Sequence, residues 1–318
     1  NQGLEVSSNG APIATKDWNW TLRMNLAWNQ NKVLVLADGL DVLSHLTVDN
    51  GAASLESHVG ESMGDWYAYT YQTDANGNYL VDNQGLYIAD KSSRHKVGNA
   101  MPNLIGGFGT TLSWKNLTLD MSFDFRFGGD VLNLPWQYMM DTGNTVDGVG
   151  VRDWKTGGIF YYNDGSKNVR VDMDPSSYKR GQTMVNGHYV WDNGVIQPGV
   201  KADGSANDLI VTQFQINDSQ LGWGAGANQS YADAIQKNTY IKCREISLAY
   251  QLPRNWTKKF ACSNLTVSGF IRNPFYIYRT LKMFDSETTD ATNWIYQAQI
   301  GGSTASARSF GFSLRASF

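Results

Sequence analysis

The sequence predicts an all-β fold, part of a large antiparallel transmembrane β-barrel with long extracellular loops, and three observations predict it. Apolar and polar residues alternate with period two in several segments, which puts successive side chains on opposite faces of a strand. The segments run about ten to twelve residues, enough to cross a bilayer at a tilt, against about five or six for ordinary strands. Their apolar stripes begin or end in Trp, Tyr or Phe, as interfacial girdles do, and their other faces carry charges suited to a watery interior.

The elements follow in order. Residues 3–8 form a first strand, followed by a short turn containing Pro12. In 17–29, Trp18, Trp20, Leu22, Met24, Leu26 and Trp28 share one face, opposite Asn19, Thr21, Arg23, Asn25, Ala27 and Asn29. Residues 30–102 are then a long outer loop. In 103–114, Leu104, Phe108, Leu112 and Trp114 share a face. In 117–128, Leu117, Leu119, Met121, Phe123, Phe125 and Phe127 oppose Thr118, Asp120, Ser122, Asp124 and Arg126. Only Lys115 and Asn116 separate these two runs, the spacing of a tight hairpin. Residues 129–236 form a second, very long outer loop.

In 238–251, Ile246, Leu248 and Tyr250 oppose Glu245, Ser247 and Ala249, and Leu252–Pro253 makes a turn. Leu265, Val267, Gly269 and Ile271 stripe 264–273; after a third loop, 274–305, a last strand in 306–318 carries Phe310, Phe312, Leu314, Ala316 and Phe318 on one face. Short turns at one end and long loops at the other follow the rule for bacterial outer-membrane barrels. Seven strands do not close such a barrel, so the chain is expected to be a section of something longer or to be completed by another chain.

Composition narrows the function classes. Only 17% of the 318 residues are charged, against about 25% in ordinary soluble domains, while 11 Trp and 16 Tyr exclude a disordered chain. A net charge of −3 offers no basic footprint for nucleic acid, and two cysteines exclude a disulfide framework. Cys243 and Cys262 are expected to stay unbridged, one up its strand and the other in the turn. No run of 18 apolar residues reads as a membrane helix, and Asn1–Val6 has no leader pattern, so a leader is expected to have been removed or the start of the chain to lie elsewhere.

Motifs for chemistry are lacking. His45, His58, His95 and His188 are scattered without ligand spacing, and no Cys-x-x-Cys, Gly-x-Ser-x-Gly, phosphate loop or dinucleotide fingerprint occurs. The stretch Asp74–Asn78 has oxygen donors at calcium-loop positions 1, 3 and 5, but Tyr79 stands at the glycine position and Gly85 at the bidentate Glu position, so an Asn-Gly turn is expected instead. Asp172 with Asp174, and Asp285 with Glu287 and Asp290, read as solvated loop acids before they read as a glycosidase pair. No catalytic residue, metal or cofactor is therefore expected. Flat aromatic faces in polar loops suit sugars or peptide side chains, which makes Trp66, Tyr69, Trp136, Trp154, Tyr161, Tyr189, Trp191, Trp223 and Trp294 the candidate substrate contacts. Arg23, Asp120, Asp124, Arg126, Glu245 and Arg315 are the candidate lumen-facing charges.

Several stretches resemble one family. They are Gly98-Asn99-Ala100-Met101-Pro102 through Gly106-Gly107-Phe108, Phe125-Arg126-Phe127-Gly128-Gly129, the run from Tyr240 to Pro253, Arg308-Ser309-Phe310-Gly311-Phe312, and the opening Asn1-Gln2-Gly3-Leu4-Glu5. Together they resemble the SusC/RagA-type TonB-dependent transporters of the Bacteroidetes outer membrane. The resemblance implies strands 16 to 22 of a 22-stranded barrel, with the plug and TonB box upstream. It also implies import of an oligosaccharide or peptide beneath a SusD-like surface lipoprotein, driven by TonB. The competing expectation is a secreted carbohydrate-binding or carbohydrate-cleaving β-sandwich, which would not leave long apolar stripes facing solvent.

Overall fold

The computed structural model describes residues 1–222, 228–281, 283–288, 293–301 and 306–318. Seven strands form one antiparallel sheet in sequence order: β1 (Gln2–Ala14), β2 (Trp18–Gln30), β3 (Pro102–Trp114), β4 (Leu117–Gly128), β5 (Tyr240–Gln251), β6 (Asn264–Arg272) and β7 (Ser309–Ser317). Every long connection leaves from the same end, because consecutive strands are neighbours and antiparallel. Among the described residues, β1 and β7 are edges of an open sheet.

The register turns the stripes into rows across the sheet. One row joins Trp18, Trp114, Leu117, Tyr250, Val267 and Leu314, and the next joins Trp20, Leu112, Leu119, Leu248, Gly269 and Phe312. Trp18 and Trp114 stack with ring centroids 5.8 Å apart. Leu22, Met24, Leu248 and Phe312 are exposed and Met121 is half-buried, so among the described residues no second sheet covers this face. That overturns the sandwich alternative, whose core would be made of this face. On the same face Gly106 leaves room for the Phe125 ring: a Cβ there would lie 2.7 Å from its tip. The polar rows lie on the other face, as in Asn9, Arg23, Gly109, Ser122 and Glu245.

β1 and β6 are each interrupted at a proline. β1 runs to Ala14, beyond the expected end at residue 8, and absorbs Pro12 in a bulge between Gly10 and Ile13. Pro has no N–H to give the ladder, so an edge-strand bulge is where it is tolerated. β6 stops at Arg272, Asn273 takes φ 49°, Pro274 follows, and the chain pairs again with β5 over Tyr276–Arg279. This short strand lies inside the stretch read as the third loop.

Opposite that break, β5 carries a bulge at Arg244, between the pairs Cys243–Phe123 and Glu245–Ser122. Asn273 N–H donates to the Arg244 carbonyl (2.8 Å) and Cys243 N–H to that of Phe275 (3.0 Å). Strict alternation would place Arg244 in phase with Ile246, on the apolar face. The extra residue turns it to the polar face, where its Nε donates to Asp124 Oδ2 at 2.5 Å. The Arg244 guanidinium also pairs with Glu287 of the third loop, as does Lys242, which is 1% exposed. Asp285 accepts from the Tyr276 hydroxyl, from Ser306 Oγ and from Ser306 N–H at 3.0 Å. Burial alone would raise the pKa of Asp285 and Glu287; these donors outweigh it and hold both below the usual carboxylate range.

The three long connections share one core. The first contributes a four-stranded meander, Val42–Val48, Ala53–His58, Asp65–Ala68 and His95–Asn99. Its Leu55, Trp66 and Ala68 pack with Leu132, Tyr231 and Ala234 of the second connection and Ala298 of the third. Leu132 N–H donates to the Ala298 carbonyl and Ile300 N–H to that of Leu132, both at 2.8 Å. Asp49, at φ 46°, accepts the Tyr138 hydroxyl at 2.9 Å and the Tyr231 hydroxyl at 2.6 Å, clamping the first connection to the second. Cys243 and Cys262 are both buried and unbridged.

Two predictions follow from this packing. Met121→Arg places a charge on the apolar face at mid-strand and should cost about 2–4 kcal/mol of folding stability in lipid vesicles, read from a denaturant titration; no loss would contradict a lipid-facing position. Glu287→Ala removes the nearer of the two carboxylates facing buried Lys242 and leaves Asp285 at 3.8 Å, so part of the about 3–5 kcal/mol that breaking a buried pair costs is lost and amide exchange over 276–288 should speed up. Because Asp285 and Glu287 are depressed, their contribution is present above the unfolded carboxylate range and lost as pH falls through their folded values. The same segment should therefore loosen in wild type only on acidification below about pH 4.

Candidate functional site

The polar face gathers all six of the lumen candidates. Arg23 reaches Asp120 at 3.0 Å and Thr111 Oγ1 at 3.1 Å, and the Thr111 hydroxyl donates to the same Asp120 oxygen at 2.5 Å. Asp124 holds Arg244, and Glu245 accepts from Arg272 at 2.7 Å. Arg126 lies near the long-connection end, donating to the carbonyls of Ala100 (3.2 Å) and Gly128 (3.3 Å). Arg315 is exposed, beside Thr266 in register. A groove of about 820 Å³ runs over this face, lined by Glu5, Asn25, Ile105, Asp124, Arg126 and Tyr240 among others. Ion pairs that cross neighbouring strands suit a wetted wall, where each charge keeps water and a partner.

Lys242 and Arg244 belong to this surface and were not among the expected residues. The cue was present as Lys-Cys-Arg-Glu, three charged residues in four, which no period-two pattern places on one face. Only a bulge does so, and alternation carries no signal for a bulge.

The loop aromatics divide by exposure. Trp66 is fully buried and donates through Nε1 to the Asp130 carbonyl at 3.3 Å, so it packs the loop core and cannot touch a ligand. Tyr161 is also buried, with its hydroxyl 3.4 Å from Asn193 Oδ1. Both depart from the expected contact role because these loops have a core of their own to fill. Trp136 and Trp294 are half-buried against the shared core, Trp294 edge-on to His45 at 4.8 Å. Tyr69 is half-buried beneath the Lys91 ammonium, 4.4 Å from its ring centroid. Trp154, Tyr189 and Trp191 present open surface. Trp223 lies outside the described residues.

The acidic candidates are occupied by the fold. Asp74 Oδ1 accepts from the backbone of Asn76 (2.8 Å) and Asn78 (2.9 Å), and its other oxygen from Asn78 Nδ2 (3.0 Å). Those hydrogen bonds lower its pKa and complete an Asn-Gly turn. Among the described residues no group of three His, Cys, Asp or Glu is arranged to hold a metal. Asp172 pairs with Arg170 at 3.2 Å, while Asp174 caps a turn through Ser176 N–H at 2.9 Å. Asp285 and Glu287 are the tethers already described, and Asp290 lies outside the described residues.

No family model matches the chain. Among curated proteins it is similar to the TonB-dependent receptor SusC of Bacteroides thetaiotaomicron, 30% identical over 138 residues, 40% of this chain and 13% of that protein. It is also similar to TonB-dependent receptor P3 of Formosa agariphila, 26% identical over 157 residues, 42% of this chain and 15% of that protein. Among solved structures, the RagAB peptide importer in its open-open state covers 99% of this chain with a TM-score of 0.56 at 15% identity. The match spans 28% of that structure's chain, so this chain is similar to a section of much longer proteins. In sequence and in fold alike, the chain is similar to the SusC/RagA-type TonB-dependent transporters, which are outer-membrane β-barrel proteins and not enzymes.

Proposed function

We propose that this chain supplies barrel wall, lumen lining and outer loops to an outer-membrane transporter that imports a nutrient, an oligosaccharide or a peptide, in a TonB-dependent manner. The observation that carries the reading is the open seven-stranded sheet with one apolar face and one ion-paired polar face, joined to sequence similarity with TonB-dependent receptors. Open edges in hydrocarbon are not tolerated, so further strands of the same transporter complete the barrel. In this reading the plug and the TonB contact lie upstream, and Arg23, Asp120, Asp124, Arg126, Glu245 and Arg315 line the passage. A SusD-like surface lipoprotein acts as the lid. The partners are thus the lid, the upstream section, TonB, cargo and outer-membrane lipid; no nucleic acid and no cofactor takes part.

Cargo and lid meet the second connection, with part of 60–90. A segment of this length exceeds what joins two neighbouring strands, and long ordered loops are usually functional. Its exposed rings Trp154, Tyr189 and Trp191 are available for contact, while the shared core holds the segment to the other two connections.

The test replaces residues 150–225 by a short Gly-Ser linker in the full-length transporter. The barrel should still assemble, read by heat-modifiable mobility on a gel, while uptake or co-purification of the lid is lost. Unchanged uptake with unchanged co-purification would overturn the assignment of this segment.

A further inference from the structure

The second connection contains a cleft that the roles above leave unused. It lies between α1 (Leu134–Asp141), α2 (Val146–Val149) and the start of α3 (Gln213–Gln220), beside the strand Trp191–Val195. Its volume is about 300 Å³, and Val149, Arg152, Arg180, Asn193, Gln213 and Phe214 are among its lining residues.

The cleft's own side chains supply cationic and amide groups. Arg152 donates through Nε to the Val149 carbonyl at 2.7 Å and through one terminal nitrogen to that of Gly143 at 3.3 Å. A guanidinium has five N–H groups, so these two bonds leave donors over. Among the described residues no carboxylate lies within 4.0 Å of Arg152, as every ion pair found there involves other cations. A Cβ at Gly143 would sit 3.1 Å from the Arg152 terminal nitrogen, and one at Gly150 only 2.1 Å from Gln213 Oε1. Both glycines have positive φ, 66° and 48°, so the backbone approach that seats these side chains depends on their being glycine.

Arg180 supplies the second charge. It reaches Asp192 at only 3.7 Å, and that carboxylate is already engaged by the Tyr178 hydroxyl at 3.1 Å and Trp154 N–H at 3.4 Å. An exposed ring stands on the cleft beside the two arginines: Phe214, 71% exposed. Guanidinium forks match carboxylates in geometry, and flat rings present faces on which a sugar ring can lie.

We propose that this cleft binds a uronate unit of an acidic oligosaccharide, with Arg152 and Arg180 taking the carboxylate and Phe214 meeting the apolar face of the sugar ring. The proposal deepens the import reading and rests on it for the statement that the bound sugar is cargo.

The test uses the detergent-solubilised full-length transporter, with trigalacturonate, its methyl ester and tetraglutamate as probes in calorimetric titrations. Wild type should bind trigalacturonate about tenfold more tightly than the methyl ester, and less so as salt rises. Arg180→Gln, at a side chain that is 59% exposed, should weaken trigalacturonate about tenfold and leave the ester unchanged, with the circular dichroism spectrum of wild type. Phe214→Ala should weaken both sugars. Equal binding of acid and ester, no binding of either, or an Arg180→Gln protein that binds trigalacturonate like wild type would overturn the carboxylate site. Tetraglutamate bound as tightly as trigalacturonate would overturn the assignment to a sugar. If wild type and variants bind as expected but cells import no uronate, the site stands and its role in import falls.

Discussion

An unpaired peptide group costs several kcal/mol in hydrocarbon, where no water can replace its partner. Seven long strands laid side by side in sequence order meet that constraint along their shared ladders, and most other features of the chain follow from it. Each strand must be long enough to cross, each must alternate between a lipid face and a wet face, and every departure from regular pairing must find other partners. Pro12 and Pro274, which lack a donor, sit where the ladder is already interrupted, one in an edge-strand bulge and the other next to a turn residue of positive φ.

The interruption at Asn273–Pro274 has a wider consequence. It faces the Arg244 bulge, and together they leave Lys242, Arg244 and Glu245 on one side of a single strand. A buried ammonium and a half-buried guanidinium on a barrel wall need acids, and the third connection supplies Glu287, with Asp285 beside it. An irregularity in strand pairing thus becomes the anchor that draws an outer loop against the polar face. The same loop then gives Ala298 to the core it shares with the other two connections, so wall and loops are held by two independent fastenings of different chemistry.

That shared core also explains how the loop aromatics are divided. Long polar segments rich in Trp and Tyr have both a core to fill and a surface to present, and composition does not distinguish the two. Trp66 and Trp154 look alike in sequence, each in a polar neighbourhood. Trp66 lies on the inner side of a small meander and is sealed by Leu55, Leu132 and Tyr231, while Trp154 sits in a capped turn at the surface. Ring exposure depends on which segments meet, and the ones that bring Leu132 and Tyr231 to Trp66 lie more than sixty residues further along the chain.

What the sequence determined by itself was everything that repeats locally. Alternation over ten to twelve residues marks a strand and its two faces, so the apolar stripe of Leu117 to Phe127 and the charges Asp120, Asp124 and Arg126 opposite were legible from neighbours two residues apart. The hairpin at Lys115–Asn116 was legible for the same reason, since the turn leaves no other geometry. What only the tertiary structure decided was everything requiring a partner distant in sequence. The face taken by Arg244 depends on a bulge set against Asn273, the ion pairs of Lys242 depend on a loop more than forty residues away, and the cleft of Arg152 and Arg180 depends on three helices meeting. Local periodicity fixes orientation because it arises from the geometry of one strand. Contacts across loops carry no period, and only the folded chain brings their partners within reach.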